Sequence, residues 1–98
     1  MTMPNERTRA MVWAGGFLIE LARDNQLPLD IRRRAVVIAR HFPTMEQISM
    51  MARFRHPSGL GIGLESPFED PGWTAECRFG PLSDFSRLEW PSEDGVTS

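Results

Sequence analysis

The sequence contains a single cysteine, Cys77, and it contains no lysine and no tyrosine among its 98 residues. One cysteine excludes an internal disulfide and a metal site built from cysteines. The longest apolar run, Ala10–Ile19, is too short to cross a bilayer, which takes about 20 residues. Glu20 follows this run at once, and the run lacks the small-residue cleavage site of a secretory leader. These absences predict a soluble, cytoplasmic protein.

Arginine alone carries the positive charge, and most of it lies in the first half of the chain. Residues 1–56 contain nine arginines against five acidic residues, whereas residues 57–98 contain two arginines against eight acidic residues. The net charges are therefore +4 and −6. A GC-rich genome explains the preference for arginine most simply, although guanidinium groups also bind phosphate and carboxylate in a two-pronged way. The charge split predicts either that the acidic half folds back on the basic half or that it mimics a nucleic acid.

The segment 28–42 has the pattern of an amphipathic helix with a defined start and end. Pro28 has a φ that suits the first helical position, and Asp30 places a negative charge at the positive end of the helix dipole. Pro43 disfavours helical backbone at Phe42, so the helix should end there. Five residues form one apolar stripe: Ile31, Ala35, Ile38, Ala39 and Phe42. The stripe predicts the buried face, with the arginines Arg32, Arg33, Arg34 and Arg40 largely outside it.

A second helix is predicted before it, over residues 6–23, with Asn5 as its cap. Its main apolar stripe consists of Ala10, Trp13, Ala14, Phe17, Leu18 and Leu21. Gly15 and Gly16 lie in the middle, where each costs about 1 kcal/mol relative to alanine. They predict a small-residue notch at which a crossing helix approaches closely, and a kink is the alternative.

A third helix is predicted over residues 45–54, because Thr44 and Gln47 have the spacing of a capping box. Its apolar positions are Met45, Ile48, Met51 and Ala52. The predicted fold is therefore mainly α, with a helical core domain over residues 1–56. The acidic remainder, residues 57–98, is predicted to be an irregular extension rich in proline, glycine and aromatic residues.

Within the extension, two short segments have the pattern of strands, and they predict at most a small β-hairpin. These segments are Leu60–Leu64, which alternates with glycines, and Trp73–Phe79. Leu82–Leu88 predicts one or two helical turns with Ser83 as the cap. The segment from about residue 91 onward is predicted to be a disordered tail.

The predicted function is that of a non-enzymatic adaptor, inhibitor or regulatory protein that binds a protein partner. Trp13, Trp73 and Trp90 are the predicted contact residues, because tryptophan and arginine contribute most strongly to many protein interfaces. The first helix is apolar on more than one side, so the partner could also be a second copy of the chain in a homo-oligomer.

The alternative is a nucleic-acid-binding regulator that uses Arg33, Arg40 and Arg53. Arg33 and Arg40 are seven residues apart and share a helix face, which predicts a stripe for phosphate. The connection between the second and third predicted helices also has the length of a helix-turn-helix turn. Pro43 in that turn and Glu46 just after it argue against this alternative.

No catalytic, cofactor or metal site is predicted. His41 and His56 are too far apart to form an i, i+4 metal pair, and Cys77 has no recognisable partners for nucleophilic catalysis. Residues 59–63 have neither the dinucleotide-binding spacing nor that of a P-loop. We therefore expect neither an enzyme nor a small-molecule substrate.

The opening MTMPNERTRA and the segment LPLDIRRRAVVIARHFPT, with its Arg40-His41-Phe42-Pro43 block, resemble a family of short uncharacterised proteobacterial proteins. Members of that family share the Met-Thr-Met-Pro-x-Glu-Arg-Thr-Arg-Ala opening and an Arg-His-Phe/Tyr-Pro block. The resemblance covers residues 1–50, and nothing carries over to the chain from Gly59 onward. It implies a compact helical unit in a bacterial cytoplasm, and it implies no activity.

Overall fold

The structure, a computed structural model, describes residues 3–54, 63–68 and 71–92. These segments contain three helices and one further helical turn: α1 (Pro4–Arg23), α2 (Leu29–His41), α3 (Met45–Arg53) and α4 (Gly72–Ala75). No strand occurs in the described segments. The predicted mainly α fold with three helices is therefore confirmed.

The strand predicted over Trp73–Phe79 is wrong, because its first residues belong to α4. Thr74 Oγ1 donates to the Pro71 carbonyl at 2.9 Å, and the Ala75 N–H donates to the same carbonyl at 3.4 Å. These local hydrogen bonds satisfy the backbone within one turn and leave no extended segment to pair. Most of the other predicted strand, Leu60–Leu64, lies outside the described residues.

A single tight turn, and no helix, occupies the middle of the segment Leu82–Leu88. The Ser86 N–H donates to the Ser83 carbonyl at 3.0 Å, and the Phe85 N–H donates to Ser83 Oγ at 3.2 Å. Ser83 therefore caps this turn through its side chain, as serine commonly does. Most of the predicted tail, residues 93–98, lies outside the described residues, whereas Pro91 is buried.

The main helix pair is α1 and α2, joined by a short turn in which the Leu27 N–H donates to the Asp24 carbonyl at 3.1 Å. Ile19 clusters with Ala39, and Ala22 clusters with Ala35. Because the later residue of α1 contacts the earlier residue of α2, the two helices run antiparallel. Their contact is built mainly from small side chains, which let the two backbones approach closely.

The stripe predicted for α2 is wrong at Ile31 and Ile38, which are 39% and 50% exposed. The residues that are buried are Arg32, Ala35, Val36 and Ala39. At 100° per residue, this face is rotated by roughly 70° from the predicted one. The cause is the close contact between α2 and α1. Ala35 and Ala39 are small enough to allow this contact, whereas the larger isoleucine side chains would hold the two helices apart.

The stripe predicted for α1 is wrong for the same reason, since Trp13 and Phe17 are 41% and 56% exposed and Ala10 is exposed too. The buried face consists of Thr8, Val12, Gly15, Gly16, Ile19 and Ala22. The helix also begins earlier than predicted, at Pro4, where proline is favoured. Asn5 is therefore not the cap, and the Met3 N–H donates instead to the Glu6 carboxylate at 2.9 Å.

Gly15 and Gly16 form the predicted notch, and of the residues that the structure describes, those of the extension fill it in place of the predicted crossing helix. A Cβ atom added at Gly15 would lie 2.9 Å from Leu82 Cβ, and one added at Gly16 would lie 2.6 Å from Cys77 Sγ. Leu82 completes a core cluster with Ile19 and is 6% exposed. The extension is therefore part of the core, and it folds back on α1.

The extension is also fixed to the start of α1 by polar contacts. Thr8 is fully buried, and its hydroxyl accepts a hydrogen bond from the Glu65 N–H at 2.9 Å. Arg7 Nε donates to the Gly63 carbonyl at 3.0 Å. Gly63 has a φ of +80°, in the left-handed region that favours glycine.

The predicted capping box of α3 is confirmed: the Gln47 N–H donates to Thr44 Oγ1 at 3.3 Å, and the Thr44 N–H donates to Gln47 Oε1 at 3.0 Å. The extension holds this helix, because the Met45 N–H donates to the Leu82 carbonyl at 2.9 Å. The Asp84 N–H donates in turn to the Glu46 carboxylate at 2.9 Å. Residues 82–84 therefore link α3 to the α1 and α2 pair.

Candidate functional site

Trp13 and Phe17 lie one turn apart on the outer face of α1, because the glycine face of this helix is the buried one. Trp13 Nε1 donates to the Trp73 carbonyl at 3.1 Å, so α4 fixes the orientation of the indole ring. The Arg9 guanidinium lies over the same ring, 5.0 Å from its centre. Trp13 is therefore held in one orientation while a large part of its surface stays accessible.

A cleft of about 380 Å³ opens beside this pair. Its lining residues are Trp13, Gly16, Phe17, Glu20, Glu76 and Cys77, and we call it the Trp13 cleft. Glu20 comes from α1 and Glu76 follows α4, so the docking of α4 on α1 brings the two carboxylates to one cleft. The result is an apolar and aromatic surface that includes two carboxylates.

Cys77 forms part of this cleft, and its environment disfavours the thiolate. Partial burial raises the pKa of the Cys77 thiol above its usual value, and the nearby carboxylates of Glu20 and Glu76 raise the pKa further. The Sγ atom also donates a weak hydrogen bond to the Trp73 carbonyl, at 3.8 Å. No histidine lines the cleft among the described residues, so the cleft offers no activating base for the thiol.

We expect Cys77 to react with iodoacetamide more slowly at pH 7 in the folded chain than in the chain unfolded by urea. The thiolate is the reactive form, and a raised pKa lowers its fraction at neutral pH. Replacing both carboxylates, Glu20→Gln with Glu76→Gln, should speed the reaction, whereas Glu89→Gln, outside the cleft, should leave it unchanged. A folded chain that reacts as fast as the unfolded one would contradict this assignment.

Trp90, predicted to contact a protein partner, lies beside Arg33 and Arg40, which are predicted to bind nucleic acid. The guanidinium groups of Arg33 and Arg40 both lie over the Trp90 ring, each 5.4 Å from its centre. Arg33 Nε also donates to the Pro91 carbonyl at 3.0 Å. We call Arg33, Arg40 and Trp90 the Trp90 cluster. The end of the extension therefore covers part of the arginine face of α2.

The other predicted residues lie elsewhere. Trp73 is half-buried and contributes its carbonyl to Trp13, which brings two of the three tryptophans to one site. Trp90 lies on a different part of the surface, where its ring contacts Arg33 of α2. Arg53 is exposed at the end of α3, and within the described segments no contact joins it to the Trp90 cluster.

The described segments contain neither a metal-binding cluster nor a membrane-spanning helix. No group of three histidine, cysteine, aspartate or glutamate residues in them is placed to hold a metal ion. None of their helices combines the length and the apolar character that crossing a membrane requires. His41 is exposed on α2, and His56 lies outside the described residues.

Sequence reasoning missed Phe17, Glu20 and Glu76 as site residues. Helical spacing places Phe17 on the predicted apolar stripe, although the two neighbouring glycines indicate that another face of α1 is in close contact. The contribution of Glu76 depends on α4, which the strand prediction excluded. A spacing of four residues between Trp13 and Phe17 was the one signal of an exposed aromatic pair.

Comparisons of this chain with protein-family models, with curated proteins and with solved structures find no match.

Proposed function

We propose that this protein is a non-enzymatic adaptor or inhibitor that binds a protein partner through the Trp13 cleft. The single observation that carries the proposal is an exposed aromatic pair, Trp13 and Phe17, beside the carboxylates of Glu20 and Glu76. Tryptophan is among the residue types that dominate binding energy at interfaces, above all when its orientation is fixed beforehand. The hydrogen bond from Trp13 to α4 supplies that fixation.

The chemistry of the cleft favours a partner that inserts an arginine or lysine side chain. Aromatic faces attract cations by about 0.5–2 kcal/mol, and the two carboxylates add a charge-assisted hydrogen bond. The effect of Glu20 and Glu76 on the pKa of Cys77 supports a negative potential inside the cleft. A cytoplasmic setting, which the resemblance to the proteobacterial family implies, fits a chain with one unpaired cysteine.

The test selects a library of short random peptides on the immobilised full-length protein and then measures the affinity of the enriched peptides. We expect these peptides to carry arginine or lysine next to an apolar residue. Trp13→Ala should weaken their binding about tenfold or more, because a hot-spot truncation costs at least 1–2 kcal/mol. Glu20→Gln should weaken binding as well, and more so at low salt.

Phe85→Ala is the matched control, because Phe85 is 81% exposed and does not line the cleft. It should leave the affinities unchanged, and circular dichroism should give the same helix content for all variants. Enrichment of acidic peptides, or equal binding by the Trp13→Ala protein, would reject the proposal.

A second candidate is a nucleic-acid-binding regulator that uses Arg33, Arg40 and Arg53. The observation that favours it is the Trp90 cluster, since a half-exposed indole with two guanidinium groups close to it combines the aromatic and the positive groups that bind single strands. A gel shift at two salt concentrations separates the two candidates, because phosphate contacts weaken steeply with salt. If no shift occurs at low salt, the nucleic-acid candidate is rejected and the protein-partner candidate remains.

A further inference from the structure

A second cavity, of about 450 Å³, opens where the end of α1, the first turn of α2 and the end of the extension meet. Its lining residues are Ala22, Arg23, Asn25, Arg32, Phe79, Arg87, Leu88 and Glu89, and we call it the arginine cavity. It shares no residue with the Trp13 cleft or with the Trp90 cluster. Whatever it binds is therefore independent of the function proposed above.

Arg32 is the unusual residue of this cavity, because it is only 9% exposed. Its Nε donates to the Leu27 carbonyl at 3.1 Å, and within the described part of the chain no carboxylate pairs with it. Arginine is seldom this buried without an opposite charge beside it, since removing a charge from water is costly unless such a charge compensates. A buried guanidinium that lines a cavity therefore points to an anion supplied from outside the chain.

Two further guanidinium groups reach the same cavity. Arg23 lies over the Phe79 ring, 5.3 Å from its centre, and its Nη2 donates to the Arg87 carbonyl at 3.3 Å. Arg87 donates to the Ser86 carbonyl at 3.3 Å. In the segments that the structure describes, neither guanidinium forms an ion pair, so both keep donors for a ligand.

The charges of the lining residues define the ligand. Three arginines against Glu89 leave a net charge of +2, and a phosphate monoester carries close to two negative charges at neutral pH. Guanidinium groups bind phosphate oxygens in pairs with defined geometry. Phe79, Leu88 and Ala22 provide an apolar and aromatic wall beside them. The volume lies in the range of pockets for small organic molecules.

We propose that the arginine cavity binds a small phosphate monoester with an apolar or aromatic body. Arg32 and Arg87 bind the phosphate oxygens, and Arg23 completes the positive site while it stacks on Phe79. The body of the ligand packs against Leu88 and Ala22, beside the Phe79 ring over which Arg23 lies. The volume of about 450 Å³ matches a small molecule.

The experiment titrates the full-length protein with phenyl phosphate by calorimetry, with benzoate and inorganic phosphate as parallel ligands. We expect one saturable site that binds phenyl phosphate at least about tenfold more tightly than either of the other two. Benzoate lacks the second negative charge, and inorganic phosphate lacks the apolar body. Equal affinity for benzoate or for inorganic phosphate would overturn the assignment of the ligand.

Variants then test the site itself. Arg32→Met and Arg87→Met should each weaken phenyl phosphate binding about tenfold or more. Arg34→Met, which removes the same charge from an exposed position on α2 outside the cavity, should leave the affinity unchanged. Arg87 is exposed, so its variant stays informative if Arg32→Met does not fold. No binding by the natural protein, or equal losses in all three variants, would overturn the proposal.

Discussion

Replacing Leu82 by alanine is expected to lower the free energy of unfolding by about 2–5 kcal/mol, the range for a leucine truncated in a packed core. Leu82 is 6% exposed and clusters with Ile19 and Ala39, so the truncation leaves a cavity between the two main helices. Small domains have about 5–15 kcal/mol of stability in total. The loss therefore removes a large share of it, although residue 82 lies far from α1 and α2 in sequence. Urea unfolding followed by circular dichroism measures the change.

A second substitution makes this test specific to the glycine notch. A Cβ atom at Gly15 would lie 2.9 Å from Leu82 Cβ, so Gly15→Ala alone should crowd the contact. Leu82→Ala keeps the Cβ atom and therefore this contact, whereas Leu82→Gly removes it. In the Leu82→Gly background the alanine at position 15 should therefore be favourable by about 1 kcal/mol of helix propensity. Gly15→Ala and Leu82→Gly should be strongly non-additive.

Phe85→Ala is the control for Leu82→Ala, because Phe85 belongs to the same segment and is 81% exposed. Its effect should stay within about 0.5 kcal/mol. A Leu82→Ala protein as stable as the Phe85→Ala protein would show that the extension is not part of the core.

The helices themselves could be predicted from local signals. Pro28, Pro43 and the capping box at Thr44 fix the helix ends through interactions within a few residues, and the observed ends agree to within a few residues. Which face of a helix is buried depends on what packs against it. In α1 and α2 that is decided by close approach at small residues and by the extension, and neither is visible in hydrophobic periodicity.

The candidate sites could be predicted only in part, for the same physical reason. Residue type identifies Trp13, and helical spacing identifies Arg33. The partners that orient them, the Trp73 carbonyl and the Pro91 carbonyl, are distant in sequence. The arginine cavity was not predicted at all. Arg32 has the i, i+3, i+4 and i+7 spacing with Ala35, Val36 and Ala39, which in retrospect indicates that it lies on the small-residue face.

Removing the extension is the change with the largest expected effect, because the helices alone cannot bury their apolar faces. Without residues 63–98, the notch at Gly15 and Gly16 faces water, and Thr8 loses both of its hydrogen bonds to Glu65. The newly exposed apolar surface and the loss of the contacts that fix the start of α1 both destabilise the fold. α3 also loses the hydrogen bond from Met45 to Leu82.

The decisive measurement is urea unfolding of a chain of residues 1–62, compared with a chain of residues 1–92, which keeps every residue that the structure describes. If residues 63–92 complete the core, the longer chain unfolds in one cooperative transition, and the shorter chain shows no cooperative transition and a reduced helix content. A shorter chain that unfolds cooperatively at the same urea concentration would contradict the claim that residues 63–92 complete the hydrophobic core. The three helices would then form a core by themselves.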